Sequence, residues 1–263
     1  MRPWAAVIIA LVWPLPIAAF VVKVSTIWSG DASHDFGVAG LYLCYAVIGA
    51  IYAVSYRLYA RGEPLPRNLV RRDFAIVVVT CVGATVFTGL ASVAALVIAD
   101  SARVDFGRLT GSLIMASAAM AFMNGVAEEF ALRGILQCFL IKRWSFIIVA
   151  LIQGVIFSGL HTIAVGQNAE SALYYFISGF FYSFVAFRFG SVSLCAAIHV
   201  VWDFLQLPFY GVQTWVDHQD GILLTTLLAS HRYLAWTLAK CLLLACVIWM
   251  PAAFGFQRKL RVA

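Results

Sequence analysis

Between Leu113 and Ile141 the chain reads as one long, mostly apolar run, and three full charges, Glu128, Glu129 and Arg133, fall inside it. A charged side chain at bilayer depth costs roughly 2.5–3.5 kcal/mol on insertion scales. Three such groups so close together need partners or a polar cavity, so a fold of this chain has to build one here. A functional site is the first reading of such a cluster.

The rest of the chain sets that cluster in a membrane. Of 263 residues, 63% are hydrophobic and 11% charged, whereas a soluble domain carries about 25% charged residues. The formal charge of +6 does not point to a nucleic-acid partner, because the basic residues fall in short gaps between apolar runs. All six cysteines lie inside apolar segments without CxxC spacing, which argues against a disulfide framework or a zinc ribbon. A spanning helix needs about 20 apolar residues. Eight segments qualify: 3–24, 38–60, 73–99, 111–140, 145–163, 170–188, 191–210 and 232–254. The first, kinked at Pro14 and Pro16, is long for a signal-peptide core and has no clear cleavage site. No linker or repeat divides the chain. The expectation is an all-α, polytopic membrane protein of about eight transmembrane helices in one membrane-embedded domain, 1–263. With the N-terminus inside, twelve Lys and Arg fall in inner segments and four in outer ones, so both termini are expected in the cytoplasm. Lys23 and Lys240, near span ends, are read as snorkelling to the interface.

The ionisable residues then left inside spans are Glu128, Glu129 and Arg133 in the fourth, His161 in the fifth, and His199 and Asp203 in the seventh. Glu129 and Arg133 are four apart and can pair on one face; so can His199 and Asp203. Glu128 points about 100° away from Glu129, so the two acids have different roles. At about 1.5 Å per residue, Glu128, His199 and Asp203 lie at similar depth, but His161 comes out roughly 25 Å from its inner helix end. Its convergence with the others requires tilt or a later helix start. Chemically, a carboxylate beside a neutral imidazole can deprotonate water, and a second histidine can donate to a developing oxyanion. Glu128, His161 and His199 would equally suit a zinc ion with an open position.

Three motifs, Glu128-Glu129-x-x-x-Arg133, Phe157-x-x-x-His161 and His199-x-x-x-Asp203, occur in that order within about 111–210. Together they resemble the CAAX protease and bacteriocin-processing (CPBP/Abi) family, which includes the type II CAAX prenyl endopeptidases. The resemblance implies an intramembrane endopeptidase with its catalytic cluster on the fourth, fifth and seventh helices. Glu128 would activate water with help from His161, His199 and residue 203 would line the oxyanion side, and Glu129 and Arg133 would support the site. The family has been described both as metal-dependent and as glutamate-dependent. The reading here leans to Glu128 without a cofactor, with a single zinc ion as the alternative. Prenyl endopeptidases often carry Asn at the last position; the carboxylate of Asp203 cannot donate as an amide does, so it must be protonated, orient His199 or bind a cation.

The implied partners are membrane lipids and a peptide or protein substrate, either lipid-modified or a C-terminal tail, in a prokaryotic plasma membrane. A non-enzymatic immunity or scaffold protein and a proton-coupled transporter are the competing readings; no paired Gly/Pro-interrupted segments support the transporter. The aromatics of the sixth span, Tyr174 to Phe187, are expected to pack or face lipid rather than to form a substrate groove. Asp217-His218-Gln219-Asp220 reads as a solvated outer loop.

Overall fold

The computed structural model describes residues 4, 8, 12, 47–58, 71–98, 102–165, 168–210 and 230–253, with strand residues 212–213, 218–219 and 223–225. Most of the first predicted span, Lys23, the basic loop around Arg61–Arg67 and the chain ends lie outside these residues.

Seven helices run through the described part: α1 (Val47–Leu58), α2 (Arg71–Ile98), α3 (Gly111–Glu129), α4 (Phe146–Val165), α5 (Ala169–Phe189), α6 (Val192–Tyr210) and α7 (Ser230–Ala253). Helix α3 continues as a π-helix, Phe130–Gln137, and closes with a turn of α-helix, Cys138–Leu140. Ile76–Ile98, Ala169–Phe189 and Val192–Phe209 are long and apolar enough to cross a membrane; Phe146–His161 and Tyr233–Trp249 are shorter apolar stretches.

Local chemistry explains the boundaries. Thr110 caps α3 by accepting from the Leu113 N–H, and Asn168 caps α5 by accepting from Ser171 N–H, with Glu170 in the first turn beside the positive helix end. Helix α5 stops at Gly190, whose φ of 63° is the left-handed conformation that glycine takes without a Cβ penalty.

The bundle is apolar outside and polar within. Phe87, Ile98 and Trp249 are more than 70% exposed, whereas Glu129, Arg133, Gln137 and Lys240 are fully buried. Water would select the opposite arrangement; lipid selects this one. Close helix approach depends on small residues. A Cβ on Gly125 would lie 2.5 Å from Val200 Cγ2 and 2.7 Å from the Val200 nitrogen, so α3 and α6 touch there backbone to backbone. Gly154 of α4 meets Gly179 of α5 in the same way: a Cβ on Gly179 would fall 2.9 Å from the Gly154 Cα.

The fold is all-helical as expected, with two short ladders in its connections: β1 (Ala102–Val104) pairs antiparallel with β4 (Leu223–Thr225), and β2 (Val212–Gln213) with β3 (His218–Gln219). Pairing satisfies backbone groups of the α6–α7 connection and draws the residues after α2 against it; His218 thus sits in a ladder. Lys240 does not snorkel. It is fully buried on α7, its ammonium donating to the Tyr182 hydroxyl and lying 4.1 Å from the centroids of the Tyr182 and Trp202 rings. The α5 aromatics Tyr174, Phe181, Tyr182 and Phe189 pack in the core, in keeping with the packing expected of them.

Candidate active site

The α3–π junction sets two acids on different faces. Glu129 points into the bundle and is fully buried. Its Oε1 accepts from Arg133 Nη1 at 3.2 Å and from His199 Nδ1 at 2.8 Å, and its Oε2 accepts from the Cys195 thiol at 3.0 Å. Arg133 reaches across to α5, where Nη2 donates to the Gly179 carbonyl at 2.9 Å, and its guanidinium lies 5.0 Å from the Phe157 ring centroid. Gln137, one turn on, repeats the pattern by donating to the Ser183 carbonyl and accepting from the Ser183 hydroxyl. The π stretch thus carries a ladder of polar ties onto α5. Leu132, inside it, presents its carbonyl to the Gln153 amide of α4. Irregular helical backbone of this kind is common where function shapes the chain.

Glu128 faces a cavity of about 130 Å³, large enough for several waters. His161, His199 and Asp203 line the same cavity. The four positions singled out from spacing therefore meet. His161 Nδ1 lies 2.8 Å from the Phe157 carbonyl; a carbonyl only accepts, so Nδ1 carries the hydrogen. The other nitrogen, Nε2, then faces Glu128 Oε1 at 3.9 Å. His161 meets Glu128 although α4 starts at Phe146, within one residue of the predicted start, so a later helix start is not what brings them together. The His161 ring stacks on Tyr175 at 4.0 Å, which fixes the imidazole plane. Glu128 Oε2 is buried without a hydrogen-bond partner among the described residues.

His199 is held from two sides: Nδ1 donates to Glu129, and the ring stacks on Tyr182 at 4.3 Å. Its Nε2 faces Asp203 Oδ2 at 3.5 Å. That oxygen also accepts from Asn124 Nδ2 at 3.2 Å. Position 203 is therefore an acceptor between an amide and an imidazole, which fits orienting His199 better than donating to an oxyanion. Among the described residues, no three His, Cys, Asp or Glu side chains are grouped as a metal ion would require.

Several cavity residues escaped the reading by spacing. Asn124 lies one turn before Glu128 on the same helix face, a relation visible in the sequence once Glu128 is chosen. Tyr174, Tyr175 and Tyr182 line the wall from α5, and Gln206 extends the α6 face one turn beyond Asp203.

A carboxyl, two oriented imidazoles and an amide thus line one cavity inside a helical bundle with an apolar exterior. Residues 110–205 match a family model described as Type II CAAX prenyl endopeptidase Rce1-like. That match falls on the segment that carries the three motifs and agrees with the family they resemble. Neither a curated protein nor a solved structure matches the chain.

Proposed function

We propose that this protein is an intramembrane endopeptidase of eight spans, with both termini cytoplasmic, that hydrolyses a peptide bond at bilayer depth by Glu128-activated water without a metal. The observation that carries the reading is the meeting of Glu128 and His161, from different helices, on the wall of one cavity. Glu128 takes a proton from water while His161 Nε2 helps hold that water. The resulting hydroxide attacks the carbonyl carbon, and His199 with the Asn124 amide faces the developing oxyanion. Glu128 then passes the proton to the leaving nitrogen as the C–N bond breaks. Glu129 and Arg133 keep His199 oriented. The substrate is a peptide or protein segment reached within the membrane, a lipid-modified or C-terminal tail in the family's manner, and the host is a prokaryotic plasma membrane.

General acid–base groups contribute about 10²–10⁴-fold. Glu128→Gln in proteoliposomes is therefore expected to lower cleavage of a quenched, farnesylated CAAX peptide at least a hundredfold, with helix content by circular dichroism unchanged. Full activity in that variant would end the mechanism. The same assay with 1,10-phenanthroline is expected to leave the wild-type rate intact; loss of activity restored by added zinc would replace Glu128 alone with a metal-assisted reaction.

A further inference from the structure

Gln206 is 4% exposed, and both ends of its amide can be accounted for separately. The nitrogen points to α2, where it donates to the Gly89 carbonyl at 3.4 Å and to Ser92 Oγ at 3.5 Å. Exchanging the amide ends would set its oxygen against that carbonyl, so the assignment is fixed by the partners. The oxygen, Oε1, is buried and has no hydrogen-bond partner among the described residues. A buried carbonyl without a donor is costly, and such groups in native folds mark a missing ligand or a functional strain. Gln206 lines the same cavity as Glu128, His161 and His199. It stands three residues beyond Asp203 and seven beyond His199 on α6, so all three share one helix face.

We infer that Gln206 is a substrate-binding residue, whose Oε1 accepts a main-chain N–H of the bound peptide. The inference rests on the endopeptidase reading and adds how the peptide is gripped. Seven helical residues span roughly 10 Å, which is about three residues of extended chain. The recognised N–H is therefore about three residues from the scissile bond. Because the contact is to backbone, it reads extended conformation and not side-chain identity. It lies outside the segment matched by the family model, which ends at residue 205.

The test is an N-methyl scan. A farnesylated, quenched CAAX peptide is prepared with single N-methyl groups at each position within four residues of the cleaved bond. Wild type in proteoliposomes should lose about tenfold or more in kcat/KM at one position about three residues away, beyond the general cost of methylation near the scissile amide. Gln206→Met, similar in volume but without the acceptor, should cleave the parent peptide with raised KM and near-normal kcat, and should no longer discriminate at that position. Ser92→Ala removes one tether of the Gln206 amide and leaves Oε1 alone; it should keep the wild-type pattern. Identical N-methyl profiles in wild type and Gln206→Met overturn the assignment while leaving the endopeptidase intact. A wild type that cleaves no peptide at all removes the endopeptidase reading and this assignment together.

Discussion

Asn124 and Asp203 divide between them what one side chain cannot do. An ionised carboxylate only accepts and an amide nitrogen only donates, and Asn124 Nδ2 meets Asp203 Oδ2 at 3.2 Å while His199 Nε2 lies 3.5 Å from the same oxygen. Asn124→Asp would set two carboxylates against each other beside the reacting centre. We predict a fall in kcat of about tenfold or more. Asp203→Asn alone should be milder, since two amides can still pair after a flip. The double variant Asn124→Asp/Asp203→Asn reverses the pair and should recover most of the loss, giving a coupling of about 1–3 kcal/mol in a double-mutant cycle. Additive losses would show that the two side chains act independently. The spacing of Glu128, Glu129 and Arg133 in the sequence foretold which acid is tied down and which is not, because adjacent helical positions cannot share a face. Nothing in the spacing foretold that His199 would hang on Glu129, since that contact joins residues 70 positions apart.

At the scale of the element, the helices were legible and their orientations were not. The third to eighth predicted segments coincide with α2 to α7, allowing for the π-helical end of α3, within about two residues at each described end, because apolar length and caps are local signals. Which way α5 and α7 turn their polar groups depends on neighbours. That is why Lys240 was misread as snorkelling. Orientation here is enforced by glycine contacts that leave no room for a methyl group. At Gly179 a Cβ would meet Phe157 Cβ at 2.7 Å and the Gln153 carbonyl at 2.8 Å. Gly179→Ala should therefore push α5 from α4 and strain the Arg133–Gly179 hydrogen bond. Overpacking of this kind costs roughly 1–3 kcal/mol, and we predict a Tm several degrees lower in detergent together with reduced cleavage. Gly159, whose added Cβ would meet nothing within 4 Å, is the matched control on the same helix pair and should accept alanine without loss. Equal effects at both glycines would mean that helix propensity, not close approach, governs this interface.

Across the whole molecule, the interior has to balance charge as well as fill space. Three carboxyl groups, Glu128, Glu129 and Asp203, share the centre of the bundle, and the lysine and arginine side chains buried among the described residues are Arg133 and Lys240. Arg133 is committed to Glu129. Lys240 makes no direct carboxylate contact among the described ion pairs; it sits between the Tyr182 and Trp202 rings and donates to Tyr182. A fully buried ammonium held this way costs several kcal/mol to desolvate, and cation–π contacts return about 2 kcal/mol. What offsets the remainder is the field of the surplus acids, which acts over distance in a poorly screened interior. Lys240→Met keeps the volume and removes the charge. It should lower Tm by several degrees, because the acids lose their second cation. Adding Asp203→Asn removes one acid, so the pair Lys240→Met/Asp203→Asn should regain much of the lost Tm, even though the two side chains do not touch. Thermal unfolding of the three variants in one detergent reads this directly. If Asp203→Asn fails to offset Lys240→Met, the lysine serves its ring partners locally and charge balance is achieved elsewhere in the bundle.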